Sequence, residues 1–248
     1  MSRPPLLIFA MAVPKLDLTN PRDVVREVFD DDRWVKDEFT RHVSPEILKL
    51  AEALAMAFAK FPKLDALCRG GDKQAAFVAA FVHGVIDDLL TSAKLLVSGK
   101  LIASGNLMRQ AIEGVAVALL CSARGLVQVR SGKKQIVQIV YGKHAAAGKP
   151  LARSHLAVDQ LEMNCDALRI SRDAVVALRN ARKRYHSFSH PGLMGLASRI
   201  SLGEVGPIYV GGSFDEAKLP AYRVELNERA GFCGTVPSLI DKLIVALA

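Results

Sequence analysis

Leu107-Met108-Arg109-Gln110-Ala111-Ile112-Glu113-Gly114-Val115-Ala116-Val117-Ala118-Leu119-Leu120 is apolar on nearly every side of a helical wheel. A helix of that kind is buried, so it belongs at the centre of a bundle. Its two charges, Arg109 and Glu113, are four residues apart and share one face. Charges in so apolar a setting must pair or meet other polar groups, because an isolated buried charge is very costly. Either they form an internal tie that fixes helix register, or they belong to a site; the tie is the simpler reading.

Working outward, the helix is expected from about Ile102 to Ala123, ending before Gly125. Its predecessor starts at the cap Asp72 after Gly70-Gly71 and carries the stripe Phe77, Phe81, Val85, Leu89 and Leu96 up to Ser98-Gly99. So short a link predicts an antiparallel helical hairpin. Toward the N-terminus, Ser44-Pro45-Glu46 signals a helix start and Ile47, Leu48, Leu50, Ala51, Leu54, Ala55 and Phe58 keep the 3.6-residue period, with Pro62 as its expected bound. Asn20-Pro21 starts an earlier helix that the run Asp30-Asp31-Asp32 interrupts before Trp34 to His42. Residues 1–19 read as an irregular arm with three prolines, packed or forming a short strand.

Toward the C-terminus, 127–143, 150–168 and 171–189 read as three more helices. Ile208-Tyr209-Val210 and Tyr222-Arg223-Val224-Glu225-Leu226, separated by glycines and Pro220, read as a two-stranded ribbon, and Thr235 as the start of a last helix. The expectation is a mainly α protein: a multi-helix up-down bundle with a small C-terminal β-hairpin and a closing helix. Residues 1–43 form the arm and first helix, 44–200 the bundle, and 201–248 the hairpin and closing helix of the same domain. At 248 residues with 50% hydrophobic and 6% aromatic content, a substantial core is possible and helix-on-helix packing is favoured over an all-β sandwich.

The formal charge of +8 is unevenly placed. From Gly114 to Ser201 there are fourteen Lys/Arg against four Asp/Glu, a surplus of ten, while the rest of the chain has nineteen against twenty-one. Clustered positive charge raises the local concentration of polyanions such as RNA, DNA or anionic lipid. A solubilising surface would look the same by charge alone. The four cysteines, Cys68, Cys121, Cys165 and Cys233, are scattered without a CxxC pair, which points to a reducing, cytoplasmic setting. The apolar run Leu6 to Val13 with Ala10-Met11-Ala12 mimics a signal sequence but is short for one, and no stretch reaches the roughly 18 uninterrupted apolar residues of a spanning helix, so no membrane partner is expected.

Two constellations could carry chemistry. His83 and Asp87 lie four apart with Asp88 beside them, and Glu113 could complete a metal site; no HExxH, ExxH pair or cysteine cluster reinforces it, so no metal or other cofactor is expected. The stronger signal is Arg179-Asn180-Ala181-Arg182-Lys183-Arg184-Tyr185-His186-Ser187-Phe188-Ser189-His190-Pro191. At about 100° per residue, Arg179, Arg182, Lys183 and His186 fall on one face, and Ala177, Leu178, Ala181, Tyr185 and Phe188 on the other. Arg179 and His186 are then about 10 Å apart along the axis. Metal-free RNA cleavage needs proton transfer, which histidine supplies near neutral pH, and positive charge for the phosphorane, which arginine supplies. The plainer alternative is a solvated basic face.

The pattern Arg179-Asn180-x5-His186, late in a helical bundle, resembles the Arg-polar-x-His motif of HEPN-like proteins (higher eukaryote and prokaryote nucleotide-binding). Leu107–Glu113 together with Tyr185–Pro191 also resembles bacterial helical families of unknown function, and the likeness covers roughly residues 72–191. It implies a homodimeric bundle that binds RNA or a nucleotide, with two Arg/His motifs in one cleft for metal-independent ribonuclease activity, though many members of that family only bind nucleotides or partners. Under it, Arg179 stabilises phosphate charge, His186 transfers protons and Asn180 is the polar neighbour, while Arg182, Lys183, Arg184 and His190 are candidate nucleic-acid contacts. The spacing is at the long end of the pattern, and the competing pair Arg184 and His190 falls on different faces. The alternatives are a non-catalytic oligomeric interaction module and a carboxylate/His metal protein.

Overall fold

The computed structural model describes residues 17–132, 135–189, 192–203, 206 and 208–248. The N-terminal arm discussed above, to residue 16, lies outside them.

The protein is a mainly α bundle built around the quoted segment. That segment lies in helix α4, Leu101–Cys121, where every residue from Ala111 to Cys121 except Gly114 is buried. Its antiparallel partner is α3, Lys73–Val97, started as expected by Asp72, whose carboxylate accepts from the backbone N–H groups of Gln74 (2.8 Å) and Ala75 (3.1 Å). The turn between them is tight. Gly99 takes φ +71°, and a Cβ there would stand 2.3 Å from the backbone of Ser213, so only glycine lets residues 212–213 lie against this corner.

Around this hairpin pack α2 (Arg33–Cys68) and α9 (Leu219–Leu247), which run along each other, and α6 (Ser154–Asn164) and α7 (Arg172–His186), which cover α4. Short helices α1 (Pro21–Val28), α5 (Tyr141–Ala146) and α8 (Leu193–Arg199) complete the described helical set, with 3₁₀ turns at 150–152 and 216–218. Buried side chains from α2, α3, α4, α6, α7 and α9 form one continuous core. By length and composition α3 and the stretch 216–247 could each cross a membrane, yet both bury one side against the bundle.

The acidic interruption behaves as expected: Asp32 adopts φ 55° between α1 and α2. Pro62, however, does not end its helix. The segments 33–43 and 44–68 form one element bent at Val43 (φ −137°, ψ 26°), which places Pro45 in the first turn after the bend. Burial of Ala57 and Leu64 on either side of Pro62 carries the helix on to Cys68.

Two expectations exchange places. Residues 127–143, read as a helix, contain the antiparallel hairpin β1 (Val127–Ser131) and β2 (Gln135–Ile139) before α5. Its reason is visible in the strict alternation that buries Val127 (2% exposed) and Val129 (0%), with Gly132 at φ +76° in the turn. Conversely, 222–226 is helical rather than a strand. Tyr222, Leu226, Ala230 and Cys233 keep the 3.6-residue period and face the core, so α9 begins at Leu219 instead of Thr235. The extended piece at 208–210 pairs with Ile200 through one isolated bridge. The helix expected at 150–168 is split into the 3₁₀ turn and α6.

Candidate functional site

Helix α7 divides its faces as its sequence dictates. Val175, Tyr185 and Phe188 are buried and Leu178 and Ala181 half-buried, whereas Arg179, Asn180, Lys183 and His186 are exposed and Arg182 is partly so. The outward stripe is therefore intact. Its arginines are not idle, because α6 lies alongside with carboxylates. Arg179 Nη1 meets Glu162 Oε1 at 2.6 Å; Arg182 grips Asp159 with two bonds of 2.7 and 3.2 Å and donates to the His155 carbonyl at 3.2 Å. Arg184 points away from the stripe, to Glu225 (2.7 Å) and Glu228 (3.4 Å) on α9. Among the described residues Lys183 makes no ion pair. His190 lies outside the described residues.

The Arg179–Glu162 pair is solvent-facing, each side chain 44% exposed, and Arg182, 21% exposed, meets an exposed Asp159. Exposed pairs contribute roughly 0–1 kcal/mol, so an incoming phosphate can displace the carboxylates at small cost. A phosphate accepts from the same planar fork that now holds Asp159.

Part of the charge surplus from Gly114 to Ser201 forms a second cationic feature. Between Glu113 and Asp159 the chain has no Asp or Glu, while it carries seven Lys/Arg: Arg124, Arg130, Lys133, Lys134, Lys143, Lys149 and Arg153. This is the stretch that forms the β-hairpin, α5 and the 150–152 turn. Arg130, Lys143, Lys149 and Arg153 are exposed and without ion pairs among the described residues, and Arg124 is held by Asp72 at 2.9 Å; Lys133 and Lys134 lie outside the described set. The hairpin is fastened to α6 by Asn164, whose amide both accepts from Gln128 N–H and donates to Gln128 C=O, each at 2.8 Å. Since Arg182 reaches the His155 carbonyl in the first turn of α6, the α7 stripe meets the basic lobe beside Arg153.

Arg109 and Glu113 do pair, Nε to Oε1 at 2.9 Å. They border a groove of about 700 Å³ between α3 and α4, floored by Phe77, Phe81 and Val117, with Ser154 and Ser189 at its edge. Arg179 and His186 do not line it. The three candidate metal ligands do not converge either: His83 stacks edge-on against Phe61, Glu113 is held by Arg109, and among the described residues no three His, Cys, Asp or Glu side chains form a cluster. Asp88 in the groove is pushed up to about 6, by burial first and the neighbouring Asp87 second.

Comparison with protein-family models, curated proteins and solved structures finds no match to this chain. Function must be argued from its own geometry.

The most buried polar cluster is structural. Arg229, 1% exposed, donates to Glu225 Oε2 (2.6 Å), the Glu225 carbonyl (2.9 Å), Ser92 Oγ (3.1 Å), Ser104 Oγ (2.7 Å) and Tyr185 Oη (3.4 Å). It ties α3, α4, α7 and α9 at one point. Burial pushes the Glu225 carboxyl up, but Arg229 and Arg184 outweigh that and hold it below the ordinary value. The i,i+4 spacing of Glu225 and Arg229 was the available signal, hidden by reading 222–226 as a strand. All four cysteines are free thiols, and burial pushes Cys121 and Cys233 up to about 12.

Proposed function

We propose that the protein binds RNA or a nucleotide, using the outward face of α7 together with the acid-free basic lobe of β1, β2, α5 and the 150–152 turn. The observation that carries this is a run without a single carboxylate from Gly114 to Val158, whose part beyond α4 forms a lobe with Arg130, Lys143, Lys149 and Arg153 exposed, linked to α7 through α6. Evenly mixed charges would serve solubility equally well; one-signed charge, as on the lobe, serves attraction of a polyanion. Lys183, Arg130, Lys143, Lys149 and Arg153 offer cations without ion pairs among the described residues, Arg179 offers a guanidinium group held by an exposed carboxylate, and Arg182 one shared between Asp159 and the His155 carbonyl.

A metal-independent ribonuclease activity is the catalytic extension of this reading, with His186 moving protons, Arg179 neutralising the phosphorane once Glu162 is displaced, and Asn180 beside them; the HEPN-like resemblance adds a homodimer to it. Fluorescence anisotropy with a labelled single-stranded RNA tests the binding, and incubation of RNA in EDTA tests the cleavage. Lys183→Glu is expected to weaken binding, and His186→Ala to abolish any cleavage while leaving the fold intact by circular dichroism. RNA that stays unbound at low salt overturns the proposal; RNA that binds but stays intact removes only the catalytic part.

A second reading, a non-catalytic interaction module, draws on a cleft of about 660 Å³ between α4, α7 and α9, where Ala174, Ala177, Leu178, Phe232 and Leu239 leave an apolar wall. It predicts association that is insensitive to salt.

A further inference from the structure

The groove between α3 and α4 has a chemistry opposite to that of the basic lobe. Its floor is hydrocarbon: Phe77 and Phe81, edge to face with ring centres 5.0 Å apart, with Val85 and Val117 behind them. Its charged side chains are Asp88, Arg109 and Glu113. Arg109 is engaged by Glu113 at 2.9 Å, so the pair is internally neutral and Asp88 supplies the net charge.

Asp88 is poorly served by the protein. Among the described residues its one hydrogen bond is a long 3.4 Å contact from the Gln110 amide, although a carboxylate can accept about four. No cation pairs with it among the described residues, and Asp87 beside it adds repulsion. A half-buried anion with spare acceptor capacity, in a groove lined along the same helix by Val85 and Phe81, is complementary to a positively charged donor on an apolar body. A phosphate-bearing ligand would bring the wrong sign.

We propose that this groove is a binding site for a small amphipathic organic cation, a primary amine carried on an aromatic or aliphatic body. The ammonium group pairs with Asp88 and the body runs over Val85 toward Phe81. Asp87 on the same helix and the Arg109–Glu113 pair facing it from α4 are the other charged groups at the site, and their balance leaves Asp88 as the anchor. The site is independent of the RNA-binding reading.

Isothermal titration with 2-phenylethylamine, its neutral analogue 2-phenylethanol and the anion 3-phenylpropionate tests this on the full chain. The amine is expected to bind about tenfold or more tightly than the alcohol, the equivalent of one well-placed charge contact, and the anion not at all. Asp88→Asn should erase the preference. Lowering the pH from 7.5 to 5 should weaken amine binding about tenfold, because Asp88, held near 6, is then mostly protonated. Gly84→Phe is the blocking variant: Gly84 lines the groove, and a Cβ there meets nothing within 4 Å, so the ring fills the groove without displacing the core. It should abolish binding with the fold unchanged by circular dichroism. No binding by any probe, equal binding of amine and alcohol, preference for the anion, or amine binding that survives Gly84→Phe each overturns the proposal.

Discussion

Replacing Arg229 by methionine keeps most of the side-chain length and the helix propensity while removing a buried charge and five hydrogen bonds. The cost follows from what is left behind. Ser92 and Ser104 still satisfy each other, each hydroxyl donating to the other's carbonyl at 2.9 and 2.7 Å. Glu225, 7% exposed, retains Arg184 at 2.7 Å but loses its shorter partner. Breaking a buried pair costs about 3–5 kcal/mol when the remaining charge is stranded. Partial compensation by Arg184 puts Arg229→Met at the low end, about 3 kcal/mol. Because Glu225 is held low in the fold, its contribution is present above the ordinary glutamate value of 4.5 and lost as pH falls through the lower folded value. The gap between wild type and Arg229→Met should therefore narrow in acid. Urea denaturation at pH 7 and pH 3.5, followed by circular dichroism, reads both effects, and adding Glu225→Gln to Arg229→Met should show a coupling of about 1 kcal/mol or more. A single-variant cost within about 0.5 kcal/mol of zero at pH 7, the range of an ordinary surface substitution, would refute the idea that this cluster pins four helices together.

Three other outcomes are expected. Asp88→Asn should stabilise the protein at pH 7.5 by on the order of 1 kcal/mol, after allowance for solvent screening. The gain should disappear toward pH 4, since a carboxyl raised to about 6 penalises the fold only once ionised; differential scanning fluorimetry across pH checks it. Gly105→Ala should destabilise by roughly 1–2 kcal/mol in a urea melt, despite alanine's better helix propensity, because its Cβ would stand 2.4 Å from the buried Phe188 ring. Reversing Arg130 and Arg153 together to glutamate should leave the melting temperature nearly unchanged, as both are exposed and unpaired among the described residues, yet weaken RNA binding in anisotropy titrations.

The central hairpin of the bundle was readable because several local signals agreed: the cap at Asp72, the stop at Ser98-Gly99, and an apolar segment too uniform to lie anywhere but inside. The Arg109–Glu113 pair followed from spacing alone. The β-hairpin was misread because Val127, Val129, Val137 and Ile139 are also compatible with a short buried helix, and periodicity does not separate the two over so few residues. Tyr222-Arg223-Val224-Glu225-Leu226 failed in the opposite direction: five residues alternate, but the helical period emerges only when Ala230 and Cys233 are included. On α7 the faces were legible and the partners were not. Nothing local in the sequence says that Glu162 and Asp159 from another helix lie against Arg179 and Arg182, since that contact is set by how α6 and α7 pack on α4.

The account turns on whether the cationic surface engages phosphates. The most direct measurement is the affinity for a single-stranded RNA at salt concentrations from 50 to 300 mM, since each phosphate neutralised contributes about −0.7 to the slope of log affinity against log salt. Engagement through the α7 stripe and the basic lobe predicts a slope of about −2 to −4, flattened by reversing Lys183, Arg130 and Arg153. A slope near zero, or a steep slope that those reversals leave untouched, would contradict it.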